Sequence, residues 1–227
     1  MAWDERIRAV EVEPSLYAAD FARLGEEIDA LLAAGTRVFH YDVGDGHFVE
    51  PIILGQIVLE SIADRIHDGG ALVDVHLMVE SPERHFRAFN EAGADSVTFH
   101  YEAVEDVATV AAAARAHDLG LGVALKPETS VEDVAEAAVA AGTDLVLCMS
   151  IEPGYSGQEF MPEAFGRLRR LRELLPSNVG LQVDGGVHQD NIAEVRSAGA
   201  NLLVAATAVF GDRDPASAYQ GLVEAAV

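Results

Sequence analysis

The chain is poor in several residue types that would point to a partner or a compartment. Its 227 residues include one cysteine and one lysine, and 15 Lys and Arg side chains stand against 38 Asp and Glu side chains. The cysteine, Cys148, excludes an intrachain disulfide, and its apolar neighbours in DLVLCMS predict a small buried side chain rather than a reactive thiol. The formal charge of −23 argues against DNA or RNA as a partner, because phosphate backbones bind clustered cationic side chains.

Membrane and export signals are lacking as well. Hydrophobic residues make up 50% of the chain. No run reaches the roughly 18 apolar residues of a membrane span, and no charged-then-apolar leader opens the sequence. We therefore expect a cytoplasmic protein without a membrane partner. An anionic substrate would have to be bound by local dipoles, because the overall field is negative.

Short segments rich in Val, Leu and Phe alternate along the chain with longer segments in which apolar residues recur every three to four positions. This alternation predicts strands that are each followed by a helix. The predicted strands cover residues 9–13, 37–43, 72–77, 96–100, 120–125, 145–149, 180–184 and 201–205. The predicted helices cover residues 21–34, 54–66, 82–92, 104–116, 131–141, 162–175, 191–198 and 215–226.

Eight such units without a linker or a change of composition predict an α/β protein with one domain over residues 1–227, a single (β/α)8 TIM barrel. A doubly wound open sheet is the alternative, but no GxGxxG turn follows the first strand. Glycines in AAG, EAG, AAG and SAG end four predicted helices and suit left-handed C-caps. Ser81 and Ser130 precede acidic residues and suit helix N-caps.

Polar residues stand at the carboxyl ends of the predicted strands, where a barrel of this kind has its active site. His40 and Asp42 are two residues apart on one strand and should point into the barrel together, whereas Asp45 and His47 are predicted to lie in the following loop. His100 ends another strand and is expected to line the pocket, with no role assigned to it at a metal. The other strand-end residues are Ser15, His76, Asp184 and Thr207.

Two imidazoles and two carboxylates from three strands make a ligand set that suits one divalent transition metal ion. Zn²⁺, Fe²⁺, Mn²⁺ and Co²⁺ are all compatible with such ligands. Each residue alone also has a structural interpretation, because a strand-end histidine is commonly a hydrogen-bonded residue and an aspartate there is commonly an N-cap. The convergence of all four favours a metal site. The residues are His40, Asp42, His76 and Asp184.

A second group of residues suits an anion. The loop SIEPGYSGQEF, residues 150–160, leaves the sixth predicted strand, and DGG and AT follow the seventh and eighth. Backbone N–H groups of such loops form phosphate sites on this side of many barrels. A glycine-rich loop by itself is usually only a turn, and its position beside the other two segments is what supports a phosphate site.

The chain contains, in order, EPSLYAADFARLGEEI, FHYDVGDGHFV, DVHLMVESPERHF, AGADSVTFHYEA, GVALKPETSVE, VLCMSIEPGYSGQEF, LQVDGGV and ANLLVAATAVFG. These segments resemble the signatures of the ribulose-phosphate 3-epimerase family from its first strand to its last. The resemblance implies a metal-dependent isomerase of carbohydrate metabolism, in the pentose phosphate pathway. Such an enzyme epimerises C3 of a ketose phosphate and interconverts D-ribulose 5-phosphate and D-xylulose 5-phosphate. It also implies a homo-oligomer.

The resemblance further implies residue roles. The family's metal ligands, for one divalent ion per subunit, fall on His40, Asp42, His76 and Asp184. Its two acid/base groups fall on Asp42 and Asp184. The implied substrate contacts are Ser15, His76, Gly154, Tyr155, Ser156, Gly157, Asp184, Gly185, Gly186, Ala206 and Thr207.

The chain departs from the family pattern near the implied site. The family usually has methionine at Gly44 and glycine at Ser156 and Ala206, and it differs at Glu50 and Pro51. We expect the missing side chain at Gly44 to enlarge or wet the pocket. We expect the β-carbon of Ala206 to hinder the approach of the backbone to a phosphate oxygen. These changes leave the reaction type intact and leave the identity of the ketose phosphate open.

Three other functions remain compatible with the sequence. A 3-epimerase of another ketose phosphate, such as a hexulose 6-phosphate, would need only a different spacing between metal and phosphate sites. A non-catalytic phosphosugar-binding barrel is the second, although a binder has no need for an acid and a base on opposite faces. A lyase or decarboxylase typically needs a strand-end lysine, and we expect Lys126, just beyond the fifth strand, to be structural.

Overall fold

The structure is a computed structural model that describes residues 3–227. Within these residues nine strands form one sheet, in the order β1-β9-β8-β7-β6-β5-β4-β2-β3. Neighbouring strands are parallel except for the pair β2 and β3. The strands are Glu11–Pro14 (β1), Val38–Asp45 (β2), Ile52–Ile53 (β3), Leu72–Met78 (β4), Ser96–His100 (β5), Gly120–Leu125 (β6), Leu145–Met149 (β7), Gly180–Asp184 (β8) and Leu202–Ala205 (β9).

The sheet curls until its first two strands in the chain meet. A parallel bridge joins Ser15, directly after β1, to His40 in β2. The short strand β3 folds back beside β2, with Gly44 opposite Ile53. With helices packed on its outer face, this curled sheet is an α/β barrel rather than the open doubly wound sheet that the sequence left as an alternative.

Helices follow the strands and cover the sheet. Helix α2, for example, buries Leu24, Ile28 and Leu31, which the helical period of 3.6 residues places on one face. This face belongs to the main hydrophobic core together with Phe39 and Tyr41 of β2. The helices are Trp3–Arg6 (α1), Leu24–Ala33 (α2), Gln56–Asp68 (α3), Phe86–Glu91 (α4), Val107–Arg115 (α5), Val131–Ala141 (α6), Glu163–Leu174 (α7), Ile192–Ser197 (α8), Thr207–Phe210 (α9) and Pro215–Ala225 (α10).

The alternation of side chains along the strands divides them between two environments. Phe39 and Tyr41 point outward into the core under the helices, and the intervening His40 and Asp42 point into the barrel. At the amino ends of the strands, Trp3 of α1 packs against a cluster of buried apolar side chains inside the barrel. The carboxyl ends are therefore the face at which polar side chains can meet a ligand.

The predicted elements agree with the observed ones except at a few places. The sequence analysis missed α1, β3 and α9, which have at most four residues each. Helix α4 begins at Phe86, because Pro82–Arg84 forms a separate 3-10 turn. Ser81 is consequently not the predicted N-cap: its φ is 52° and its side chain makes no capping hydrogen bond. Ser130 does cap α6, since its hydroxyl accepts a hydrogen bond from the Asp133 N–H.

Other expectations from the sequence are confirmed. The glycines of the AAG, EAG, AAG and SAG turns all have positive φ, which side chains with a β-carbon rarely adopt. Cys148 is fully buried, as its apolar neighbours predicted. None of the helices in the described residues is both long enough and apolar enough to span a membrane.

Candidate active site and metal centre

Four side chains from three strands converge inside the carboxyl end of the barrel. His40 and Asp42 lie on β2, His76 lies beside Asp42 on the neighbouring β4, and Asp184 ends β8. Each can contribute one ligand atom to a group in which all four atoms lie within 4.8 Å of one another. The structure thus brings together the four residues that the sequence grouped, and both histidines are fully buried.

Asp42 lies at the centre of this cluster. Its Oδ2 accepts a 2.6 Å hydrogen bond from the Ser15 hydroxyl, and its Oδ1 is 3.0 Å from His76 Nδ1 and 3.4 Å from His40 Nε2. Burial alone would raise the pKa of Asp42. The nearby His40 and His76 outweigh burial and hold that pKa well below its usual range. Asp42 is therefore an ionised carboxylate held in one orientation by Ser15.

His40 provides the clearest test of whether these residues fit a metal ion. Among the described residues, neither of its buried ring nitrogens has a hydrogen-bond partner. Nε2 lies 3.4 Å from Asp42 Oδ1 and Nδ1 lies 3.4 Å from Asp74 Oδ2. Because buried polar atoms are ordinarily paired, a cation between Nε2 and Asp42 would complete the contact. Two imidazole nitrogens and two carboxylate oxygens are also a ligand set that divalent transition metals accept. The residues therefore fit a metal ion.

Asp184 approaches the cluster from the opposite side of the barrel, with its Oδ2 3.8 Å from His76 Nδ1. Burial, and next the negative charge of Asp42, raise the pKa of Asp184 to about 6. The environment of Asp184 therefore favours the protonated carboxyl more than the environment of Asp42 does. Two carboxyl groups whose pKa values are pushed apart are suited to serve as an acid and a base.

The predicted anion site lies beside this cluster. Residues 154–157 of the loop after β7 share a cavity with the ends of β8 and β9, and Thr207 begins the short helix α9. The Ser156 hydroxyl is buried and lacks a partner within the described residues. Of the sequence-predicted site residues, His40 and His76 lie fully buried below the cavity, and all the others line it: Ser15, Asp42, Gly154, Tyr155, Ser156, Gly157, Asp184, Gly185, Gly186, Ala206 and Thr207.

The expected effect of Gly44 is wrong. A β-carbon there would lie 2.9 Å from both the Pro51 carbonyl oxygen and Val49 Cγ2, because the turn into β3 folds back over the glycine. Val49, Ile53 and Met78 form a small buried apolar cluster at this place. The space that a longer side chain would occupy is filled by the chain itself, so Gly44 does not enlarge the pocket. Asp45 also ends β2 rather than lying in the loop.

A polar layer that the sequence analysis missed lies one step deeper in the barrel. Gln182 Nε2 donates hydrogen bonds to Asp74 Oδ2 at 2.8 Å and to Glu13, and Asp74 Oδ2 is 3.4 Å from His40 Nδ1. Glu13 is fully buried, and burial, followed by the charge of Asp74, raises its pKa to about 8. These residues stand two positions before Ser15, His76 and Asp184, so strand alternation could have located them.

His100 is a second residue whose place the sequence underestimated. It is fully buried, and its Nε2 lies 3.0 Å from Nε2 of His76. It therefore does not line the cavity but contacts one of the four clustered side chains from behind. The cavity instead contains apolar side chains that the sequence analysis did not single out: Met78, Met149, Ile151, Val187 and Val204, together with Tyr17.

These features define an α/β-barrel enzyme with a candidate metal centre at the carboxyl ends of its strands. Residues 11–210 match the family model described as the Ribulose-phosphate 3 epimerase family, and the chain belongs to that family. It is accordingly an isomerase of the epimerase type. The sequence resemblance to this family is thus confirmed.

Individual proteins of known name agree with this assignment. The chain is 38% identical to ribulose-phosphate 3-epimerase 2 of Cupriavidus necator over 95% of this chain and 90% of that protein. It is 39% identical to the ribulose-phosphate 3-epimerase of Serratia marcescens over 89% and 96% of the two chains. A solved 3-hexulose-6-phosphate synthase shares the fold, with a TM-score of 0.74, 21% identity and coverage of 96% and 100%.

Proposed function

We propose that the protein is a metal-dependent 3-epimerase that interconverts D-ribulose 5-phosphate and D-xylulose 5-phosphate. The observation that carries the proposal is the cluster of His40, Asp42, His76 and Asp184 in a chain of this family. We further propose that residues 1–227 form a single (β/α)8 barrel domain and that it works as a cytoplasmic homo-oligomer. Of these statements, the homo-oligomer rests on the resemblance to the family alone.

One divalent ion, Zn²⁺, Fe²⁺, Mn²⁺ or Co²⁺, would be held by the four clustered residues. When bound there, it would stabilise the negative charge that develops on the C2 and C3 oxygens after loss of the C3 proton. Support for this centre comes from Nε2 of His40, which faces Asp42 without a hydrogen bond, and from the spacing of the ligand atoms. Ser15 would keep Asp42 in its orientation through the 2.6 Å hydrogen bond.

Epimerisation requires one carboxyl on each face of the planar intermediate that forms when C3 loses its proton. Asp42 on β2 and Asp184 on β8 reach the cavity from different sides of the barrel. In one direction Asp42, ionised, would accept the C3 proton, while Asp184, protonated, would donate a proton to C3 from the other face. In the reverse direction the two residues would exchange these roles.

The phosphate group of the substrate would lie at the loop after β7 and at the ends of β8 and β9. Backbone N–H groups of glycine-rich loops suit an anion, and the unpartnered Ser156 hydroxyl offers an additional donor. Ala206 has φ −102° and ψ −92° and lines this side of the cavity. The proposed substrate contacts are Ser15, His76, Gly154, Tyr155, Ser156, Gly157, Asp184, Gly185, Gly186, Ala206 and Thr207.

Two of the alternative functions are less well supported. A lyase that forms a covalent bond through lysine is not favoured, because the amino group of Lys126 lies 4.0 Å over the ring of Phe48 and Lys126 does not line the site cavity. A non-catalytic binder would not need the two carboxyls with opposed pKa shifts. A 3-epimerase of a hexulose 6-phosphate remains the second candidate, since it would use the same four residues.

Proton NMR in D₂O tests the proposal directly. Metal-loaded protein is mixed with ribulose 5-phosphate, and deuterium entry at C3 is followed together with the appearance of xylulose 5-phosphate. Both should occur with the wild type and be lost in Asp184→Asn and Asp42→Asn, while chelation of the metal should abolish them reversibly. A parallel reaction with a hexulose 6-phosphate identifies the preferred substrate. Exchange with neither sugar under any of the four metals would overturn the proposal.

A further inference from the structure

Both ring nitrogens of His76 have defined partners. Its Nδ1 faces the candidate metal centre, 3.0 Å from Asp42 Oδ1 and 3.8 Å from Asp184 Oδ2. Its Nε2 faces away from that centre and lies 3.0 Å from Nε2 of His100. The two imidazoles meet edge to edge, with ring centroids 5.1 Å apart and ring planes inclined by 30°, and both are fully buried. At this distance one of the two Nε2 atoms must carry a proton and the other must accept it.

The second nitrogen of His100 contacts a carboxylate. His100 Nδ1 lies 3.1 Å from Glu102 Oε2. The other oxygen of Glu102 accepts a 2.8 Å hydrogen bond from the backbone N–H of Lys126 and another from the Thr129 hydroxyl. Burial opposes ionisation of Glu102, but the hydrogen bonds from His100 and Thr129 outweigh it and lower its pKa to about 2. Glu102 is therefore a carboxylate that can only accept hydrogen bonds.

These contacts determine where each proton lies. Because Glu102 can only accept, His100 must carry its proton on Nδ1. A neutral imidazole carries one ring proton, so with that proton on Nδ1 the Nε2 atom of His100 has none. Nε2 of His100 is then the acceptor, and His76 must donate from its own Nε2. Nδ1 of His76 lies 3.0 Å from Asp42, which can only accept, so in the metal-free protein it donates to that carboxylate. A metal ion bound between the two residues would take the place of that proton and leave His76 neutral, with its proton on Nε2 and a lone pair at Nδ1.

We propose that Glu102 and His100 are positioning residues that fix the tautomer of His76 and thereby prepare Nδ1 as a metal ligand. This inference rests on the proposed metal centre. The chain of contacts runs from Glu102 through His100 to His76, and it spans the carboxyl end of β5 and the adjacent end of β4. The ring of Phe48 also packs against that of His100, with ring centroids 4.8 Å apart.

The replacement Glu102→Gln separates this role from a purely structural one. The new side chain has the same shape, but one oxygen becomes an NH₂ group. The backbone N–H of Lys126 is a fixed donor, so the amide oxygen must face it and the NH₂ group must face His100. His100 Nδ1 then becomes an acceptor, Nε2 of His100 becomes a donor, and His76 is left with its proton on Nδ1. Metal affinity should fall by roughly 10- to 100-fold, as for other residues that orient a metal ligand.

A pair of substitutions at His100 provides the matched comparison. His100→Gln keeps an acceptor oxygen that can receive the hydrogen bond from His76 Nε2, so Zn²⁺ affinity should stay within a few-fold of the wild type. His100→Leu fills a similar volume without an acceptor and should lose affinity to the same extent as Glu102→Gln. Thermal unfolding of the metal-free proteins identifies any variant that fails to fold, and the comparison then rests on the folded ones.

Two measurements test the inference and keep it distinct from the proposed function. Zn²⁺ affinity is measured by competition with a chromophoric chelator, with Asp184→Asn as the control for the metal centre itself. The tautomer of His100 is read from long-range ¹H–¹⁵N correlation spectra of the metal-free protein labelled on histidine. We expect protonation of Nδ1 in the wild type and of Nε2 in Glu102→Gln, with the weakened affinity described above.

An unchanged Zn²⁺ affinity in folded Glu102→Gln would overturn the positioning role, and so would the same His100 tautomer in both proteins. Equal losses in His100→Gln and His100→Leu would also contradict it, since only one of them removes the acceptor. Absence of Zn²⁺ binding in the wild type would instead overturn the proposed metal centre. In that case the tautomer spectra alone would still report whether Glu102 sets the proton on His100.

Discussion

Replacement of Glu13 by glutamine should stabilise the metal-free protein near neutral pH but not in weak acid. Glu13 is fully buried, and burial with the nearby charge of Asp74 raises its pKa to about 8 from an ordinary value of 4.5. In the window between these two pH values, the folded chain keeps a proton on Glu13 that the unfolded chain releases. The stability that Glu13 contributes is therefore fully present below pH 4.5 and is lost as the pH rises towards about 8.

The magnitude follows from the width of the window. Within it, each pH unit lowers the contribution of Glu13 to the free energy of unfolding by about 1.4 kcal/mol. From about pH 5.5 to about pH 7.5 the advantage of Glu13→Gln should thus grow by roughly 2.7 kcal/mol. The glutamine introduced by Glu13→Gln has two amide N–H bonds. The unpartnered Gln182 Oε1 can accept a hydrogen bond from one of them, and leaving the other unpaired costs about 1–3 kcal/mol. In weak acid, the cost of the unpaired amide nearly cancels the stability gained by removing Glu13. Near neutral pH, the gain from removing Glu13 is the larger of the two.

Urea unfolding followed by circular dichroism, in the presence of a chelator and at several pH values, measures this difference. Glu60→Gln makes the same charge change on the exposed face of α3 and serves as the control for charge alone. The exchange variant Glu13→Gln with Gln182→Glu keeps one acid in the same buried pair and should recover the wild-type slope. A stability difference between Glu13→Gln and wild type that does not change with pH would refute the reasoning.

Three further outcomes are expected. Gly44→Met should overpack the turn around Val49 and lower the free energy of unfolding by about 1–3 kcal/mol in denaturant titrations, and an unchanged stability would contradict the close contacts described above. Tyr155→Phe removes the 3.1 Å hydrogen bond to Glu50 that joins two loops at the cavity, and it should raise KM by about threefold with kcat unchanged. Ser156→Ala should raise KM roughly tenfold in steady-state assays if its unpartnered hydroxyl binds the phosphate, and an unchanged KM would exclude that contact.

The barrel and its four clustered side chains were predictable because both depend on periodicity. Strand alternation places His40 and Asp42 on the inner face of β2, and the regular βα repeat places the carboxyl ends of the strands at one side. The short elements α1, β3 and α9 were missed because segments of two to four residues carry too little periodicity to be recognised. They owe their structure to packing, as Trp3 does against the apolar cluster inside the barrel.

The error at Gly44 has a different origin. A missing side chain indicates free space only if the surrounding chain keeps its path, and here the turn formed by residues 46–51 moves into that space. The contact between His76 and His100 was also hidden from the sequence, because it joins residues 24 positions apart on neighbouring strands. A sequence shows that both are strand-end histidines, but only the register between strands shows which nitrogen meets which.

The buried charges of the barrel explain why a neutral acid can lie directly below the proposed metal centre. If a divalent cation were bound and Asp184 and Glu13 were protonated, the ionised Asp42 and Asp74 would balance its two positive charges. The pKa of Glu13, raised to about 8, keeps that residue protonated near neutral pH, and burial shifts the pKa of Asp184 in the same direction. Buried charge is tolerated when it is paired in this way.

In the proposed reaction Asp42 gains a proton as Asp184 loses one, so the total buried charge is the same before and after turnover. Reversal of the reaction then requires no change in the surroundings of either carboxyl, which suits an enzyme whose substrate and product differ only in configuration at one carbon.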